Sequence, residues 1–303
     1  MKLPLRIRLL LPLPLCLILF SSCNRFHSND SALGTNGARI VCISQQLTEM
    51  ICALGGGDKL VGVDLSSTYP PQVTKLPTVG YHRMLNVEGI TSLNPTLVIH
   101  DGNIAPDAVL KQIQQIGIPV RQFPQANTIE ETKSVLRLLA AELNTEVIAE
   151  SLCAKLDENM RIASVKRAHC TDTPKVLLIH FGRVINNYLV VGQGNLASTM
   201  IEWAGGVNVM HGPEGMKPLS AEIIAEAQPD VILATDFGYD RTGGVENFKK
   251  LPGIALTPAA KNNKIFRVEE HDLMHLGPRT GENVLRLMNL IHGNTQSLSS
   301  SGS

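Results

Sequence analysis

Leu76-Pro-Thr-Val-Gly-Tyr-His-Arg-Met-Leu-Asn-Val-Glu88 runs directly into Gly89-Ile-Thr-Ser-Leu-Asn-Pro-Thr-Leu-Val-Ile-His100. A polar loop, a short helix-like run and an apolar strand follow one another, with Asn94-Pro95 as the break before the strand. The same plan returns far downstream. Ser220 caps Ala221-Glu-Ile-Ile-Ala-Glu-Ala227, and Gln228-Pro-Asp-Val-Ile-Leu-Ala234 repeats the x-Pro and apolar-strand order. Two lobes built on one local scheme are therefore expected.

Working outward, Arg39-Ile-Val-Cys-Ile43 and Leu60-Val-Gly-Val63 read as short buried parallel strands. Between them lies a helix carrying Leu47, Met50, Ile51 and Leu54. Ser44 or Thr48 is its N-cap and Gly55-Gly-Gly57 its stop. Pro106–Ile116 predicts a helix and Gly117–Phe123 a strand. Strand and helix alternate, which argues a parallel α/β sheet. Residues 128–168 keep helical periodicity with only Asn144-Thr145 to break it. The second piece, Glu146–Ala168, is about 35 Å long at about 1.5 Å per residue, and suits a rigid spine between lobes. A second α/β lobe follows, with strands at Lys175–His180, Leu189–Val191, Gln228–Ala234 and Lys264–Val268. Asn195–Ala204 and Gly281–His292 are its predicted helices. The fold class is α/β: two Rossmann-like lobes (38–142 and 170–293) joined by one long helix (143–169), with a polar tail at 294–303.

The N-terminus reads as a targeting segment. Lys2, Arg6 and Arg8 precede an apolar run from Leu9 to Phe20, and Leu19-Phe-Ser-Ser-Cys23 resembles a bacterial lipobox. Residues 1–22 form a signal peptide on this reading, Cys23 is lipidated, and 23–37 is a flexible tether; an ordinary secretory signal is the alternative. The chain's 303 residues carry 27 basic and 27 acidic side chains. Removing 1–22 takes away three basic groups and leaves a net charge of about −3. No basic stripe is present, so nucleic acid is not an expected partner. Export implies an oxidising compartment. Cys42 and Cys52 read as small core residues. Cys153 and Cys170 can pair only if the helix between them ends early. No structural zinc spacing is found.

Several local motifs resemble one family. Val61-Gly-Val63, Tyr69-Pro-Pro71 and Leu76-Pro-Thr-Val-Gly80, then Asn86-Val-Glu88 through Pro95-Thr-Leu-Val98, are similar to the N-lobe signature of class III periplasmic substrate-binding proteins of ABC importers. That group carries cobalamin, ferric siderophores and haem. Gly80-Tyr-His-Arg83, Ala204-Gly-Gly-Val-Asn208, Glu214–Ser220, Leu251-Pro-Gly253 and Gly277-Pro-Arg-Thr280 resemble its haem-binding branch. The resemblance covers about residues 38–292. It implies a ligand cleft between the lobes, haem as a transported ligand rather than a catalytic cofactor, and permease subunits of an importer as partners. It also implies attachment to a bacterial membrane through the lipid, on its periplasmic face or at the cell surface. A monomer is expected.

By that resemblance Tyr81 is the axial ligand of haem iron and Arg83 its partner. A phenol ionises near pH 10 in water, but phenolate is a hard ligand for ferric iron, and a nearby guanidinium favours the ionised form. From spacing alone the same three residues also read as solvated surface. His82 departs from the branch; in an extended loop it points away from Tyr81 and becomes a rim residue. His180, at the end of its predicted strand, is a second axial candidate from the opposite lobe, or a packed histidine. Tyr239, Met274 and His275 are expected to line the cleft. Glu88 and Glu222, each seven residues before the matching Pro95 and Pro229, are expected to dock the permease. Helix-start glutamates also suit the helix dipole alone. A ferric-siderophore or cobalamin carrier is the alternative within the class. Outside it stand a metal-dependent α/β enzyme such as a chelatase, using His180, His271 and His275, and a zinc or manganese receptor. No catalytic residue is expected.

Overall fold

A continuous apolar run is what a parallel strand covered on both faces requires, and β1 (Ile40–Ile43) shows it, every residue being buried. The computed structural model describes residues 37–182, 185–210 and 215–293. The signal peptide, Cys23, the tether up to residue 36 and the tail from 294 lie outside the described residues. In the first lobe β1 is followed by α1 (Gln45–Ala53), β2 (Leu60–Val63), α2 (Val87–Thr91), β3 (Leu97–His100), α3 (Ala108–Gln115) and β4 (Val120–Gln122). The sheet order is β2-β1-β3-β4, with every pairing parallel. Of the two proposed caps, Ser44 caps α1 by accepting from the Leu47 N–H. Gly55, with φ +84°, turns the chain out of α1 in a conformation that favours glycine.

Asn144 ends α4 (Ile129–Leu143) in the left-handed region, and α5 (Glu146–Ala168) starts two residues later. Thr128 and Glu131 form a capping box at the start of α4. Helix α5 belongs to both lobes. Ala149 and Cys153 are buried in the core of the first, whereas Ala163 is buried in the core of the second. It stays helical to Ala168. Cys153 and Cys170 are thus separated by about 25 Å along the axis, beyond the roughly 7 Å a disulfide spans, and both are free.

The second lobe departs from a purely parallel sheet. Its strands are β5 (Lys175–Gly182), β6 (Asn187–Val191), β7 (Val207–Asn208), β8 (Met216–Pro218), β9 (Val231–Thr235) and β10 (Ile265–Val268), in the order β10-β9-β5-β6-β8, with β7 also on β5. β10, β9, β5 and β7 pair in parallel, but β6 is antiparallel to β5 and β8 antiparallel to β6. Only four residues separate Gly182 from Asn187, and a connection that short joins antiparallel strands only. β5 also runs two residues past His180, so this histidine does not end its strand. The helices of the lobe are α6 (Leu196–Trp203), α7 (Ala221–Ala227), α8 (Asp236–Thr242), α9 (Val245–Phe248), α10 (Pro258–Lys261), α11 (Glu270–Met274) and α12 (Thr280–His292).

Candidate functional site

Chemistry-bearing side chains gather beyond the carboxyl ends of the parallel strands in both lobes, where open α/β sheets place ligands. In the first lobe the strand order reverses between β1 and β3. Ser44 at the end of β1 donates to Asp101 beyond β3 at 2.8 Å and closes that gap. The loop from Leu76 is pinned to the end of β2. The Val63 N–H donates to the Pro77 carbonyl (3.1 Å), the Val79 N–H to Val63 (2.9 Å) and the Leu65 N–H to Gly80 (2.8 Å). Gly80 then takes φ +98°, and a turn closes from the Met84 N–H to the Tyr81 carbonyl at 2.7 Å.

That turn overturns the extended-loop expectation for His82. The Tyr81 and His82 rings lie against each other, centroids 4.3 Å apart and planes at 51°. His82 is braced on both nitrogens. Nδ1 is 3.3 Å from Asp64, and Nε2 is 3.5 Å from the Asn103 amide nitrogen. Arg83 donates to Asn103 Oδ1 at 2.9 Å. Asp64, the first residue after β2, has no exposed side-chain surface. Burial pushes its carboxyl up, but hydrogen bonds from His82, Ser66 and Ser67 outweigh this and hold it below the ordinary value. Asp64 is absent from the sequence-based site. Its signal was available: a lone carboxylate immediately after an apolar parallel strand. Leu65, whose N–H donates to Gly80, and Met84, whose N–H closes the turn on Tyr81, are exposed apolar residues.

In the second lobe His180 Nδ1 lies 3.3 Å from Thr235 Oγ1, at the end of β9, and 3.8 Å from Glu270 Oε2, at the start of α11. Its neighbour Phe181 carries the Phe237 ring at 5.7 Å and the Arg241 guanidinium 5.0 Å above it, a cation–π arrangement. Two expected cleft residues turn part of their surface inward. Tyr239 packs its ring on Phe248 at 5.7 Å, against the lobe's core. Met274 packs against the other core cluster of this lobe. Phe237 and Arg241, four apart on α8, take the exposed face instead. The signal for Arg241 is that Gly-Tyr-x-Arg occurs twice, at Gly80–Arg83 and Gly238–Arg241. The first copy is a turn and the second a helix, with Gly238 pressed on Phe181, so the two tyrosines have opposite fates.

The lobes meet at α1. Gln45 contacts His275, and Gln46 donates to the Leu276 carbonyl at 2.7 Å. Burial pushes the His275 imidazole down to about 3, helped by His271 and resisted by Asp64 and Glu49, so this ring is neutral at physiological pH. Glu49, almost fully buried, lies 2.5 Å from His271 Nε2 and accepts from Arg279 Nε at 2.7 Å. Arg279 also donates to Asp272 (2.8 Å) and lies 3.4 Å above the Tyr69 ring, while Arg286 donates to Asp272 at 2.9 Å. His180 and His271 thus have separate partners, and His275 lies past the end of α11. Among the described residues no group of three or more His, Cys, Asp or Glu could hold a metal ion. A cavity of about 610 Å³ adjoins this clasp, lined by Tyr69, Val73, Leu76, Leu152, Arg279 and Glu282; Tyr81 and His180 do not line it.

Glu88 and Glu222 occupy equivalent places, each the second residue of a short helix capped by Asn86 or Ser220. Both are exposed, and among the described residues neither pairs with a cation.

A family model described as "Periplasmic binding protein" matches residues 40–271. An uncharacterized ABC transporter substrate-binding lipoprotein of Bacillus subtilis is 26% identical over 273 residues, covering 88% of this chain and 84% of the relative. A vitamin B12-binding protein of Photorhabdus laumondii is 27% identical over 211 residues, covering 69% and 74%. Among solved structures, a periplasmic heme-binding protein from Roseiflexus sp. RS-1 in apo form superposes with a TM-score of 0.77 at 36% identity, covering 86% of this chain and 100% of that one.

Proposed function

This chain belongs to the periplasmic binding protein family, and from that premise we propose that it is the lipid-anchored carrier of an ABC importer, binding ferric haem between its lobes and handing it to the permease. Tyr81 carries this reading. It is a half-buried phenol at the mouth of the first lobe, in a rigid turn beside Arg83, with exposed Leu65 and Met84 next to it. Ferric iron displaces the phenolic proton and takes the oxygen as an axial ligand. Arg83 lowers the energy of that charged oxygen or meets a haem carboxylate.

The opposite wall supports the same cargo. Thr235 and Glu270 both engage His180 Nδ1, which leaves Nε2 as the nitrogen free to face iron. Phe237 offers an aromatic surface to a flat macrocycle and Arg241 a cation to its carboxylates. Glu88 and Glu222, exposed and matched on the two lobes, dock cationic permease residues. Cys23 carries the lipid, the protein works as a monomer on the periplasmic face of the membrane, and it turns over nothing. The B12-binding relative favours cobalamin as the second reading.

The test is an absorption titration of residues 24–303 with ferric haem, beside Tyr81→Phe. Wild type gives a saturable Soret band. The variant loses the phenolate signature and binds at least about tenfold more weakly, about 1.4 kcal/mol. No saturable band, together with saturable cobalamin binding, would replace haem by cobalamin.

A further inference from the structure

We propose that Asp64, acting through His82, is the positioning residue that presets the Tyr81 ring before any ligand arrives. The inference rests on the Tyr81 reading above and deepens it.

The direction of each hydrogen bond follows from its partners. Arg83 can only donate, so the Asn103 atom 2.9 Å from its guanidinium is the carbonyl oxygen. The Asn103 amide nitrogen then faces His82 Nε2 at 3.5 Å, and that nitrogen must present its lone pair. The ring hydrogen of His82 therefore sits on Nδ1, aimed at Asp64 Oδ2 at 3.3 Å. Asp64 accepts in turn from the Ser66 N–H (3.2 Å), from the Ser66 hydroxyl and from the Ser67 hydroxyl (2.6 Å). Ser67 is 3.1 Å from Thr48 in α1. The chain Arg83–Asn103–His82–Asp64 is thus fastened to the Ser66-Ser67 turn after β2 and, through Ser67, to α1.

His82 is held at both nitrogens, and the Tyr81 ring leans on its face. Rotating Tyr81 away loses that contact; rotating His82 breaks two polar contacts at once. A side chain fixed this way loses less rotamer freedom on binding, and outer groups that orient a metal ligand typically change metal affinity by about 10–100-fold. Asp64 touches no ligand. Its effect passes entirely through the imidazole.

The experiment has one arm without ligand and one with it. In the ligand-free full-length protein, proton–carbon spectra of labelled tyrosine rings are compared between wild type, Asp64→Asn, His82→Leu and His82→Phe. Wild-type Tyr81 carries a ring-current shift from His82. In His82→Leu that shift disappears. In Asp64→Asn it shrinks and the signal broadens. His82→Phe restores an aromatic neighbour but not the clamp, so a shift returns without the wild-type sharpness. With ferric haem added, Asp64→Asn keeps the phenolate-to-iron band but moves its position, and affinity falls about tenfold. A merely structural role for Asp64 would lower thermal stability and leave the Tyr81 ring signature and the band position unchanged; that result overturns the proposal. If wild type takes no haem while the ligand-free Tyr81 signature still depends on Asp64 and His82, the haem reading fails and the brace stands.

Discussion

Replacing Glu49 by alanine lowers the unfolding free energy by about 3–5 kcal/mol, the range seen when one partner of a buried ion pair is removed. Glu49 is 5% exposed in its side chain and sits opposite the 4% exposed His271 and the 18% exposed Arg279. Removing it leaves the guanidinium with Asp272 and the Tyr69 face only, and it leaves the buried His271 ring without a hydrogen-bond partner, because Nδ1 already has none. Glu49→Gln keeps an acceptor but not the charge, and loses less. Urea unfolding at pH 7 reads the difference; a loss under about 1 kcal/mol would mean the clasp contributes no more than a surface pair.

The same carboxylate gives a pH signature. Burial raises its pKa, but the His271 hydrogen bond and the charges of His271 and Arg279 lower it further, so the net displacement is downward from the ordinary 4.5. A group lowered on folding contributes stability above its unfolded value and loses it as pH falls through the folded one. Wild type and Glu49→Gln should therefore differ most above pH 4.5 and converge in stronger acid.

Gly281→Val is expected to destabilise by about 3 kcal/mol, the upper end of ordinary overpacking effects. A Cβ at Gly281 would lie 2.5 Å from Asn159 Cβ, 3.1 Å from the Leu156 carbonyl and 3.2 Å from the Met160 nitrogen. Two of these atoms are backbone of α5, so relief requires moving α12 off the spine rather than turning a side chain. Gly57→Ala is the control: its Cβ meets Cys52 Sγ at an ordinary 3.4 Å, and its melting temperature should stay near that of wild type. Equal effects of the two would show that the α5–α12 approach is not tight.

Most of the frame was legible because it rests on local signals. Four-residue apolar runs between turn residues became β1, β2 and β3, and Asn144-Thr145 separated α4 from α5. The second lobe's antiparallel edge was missed because Leu189-Val-Val191 carries no mark of direction; that information lies in the length of the link to β5. The site was legible where a residue type is rare, as at Tyr81. It was not legible where a turn decides direction. His82 faces Tyr81 because Gly80 reverses the chain, and Tyr239 faces the core because its Gly-Tyr-x-Arg lies in a helix. Asp64 and Glu49 escaped because their partners are distant in sequence, Glu49 and His271 being 222 residues apart.

Helix α5 is anchored in the cores of both lobes as a single uninterrupted rod. For a carrier this bears on how a transporter would tell full from empty. A rod seated at both ends resists large swings; if Glu88 and Glu222 dock the permease as proposed, their separation would act as a fixed ruler, the same with or without cargo. An importer that gauges its visitors by that ruler would accept both. Empty molecules would then occupy the gate and slow uptake, in proportion to their share of the population.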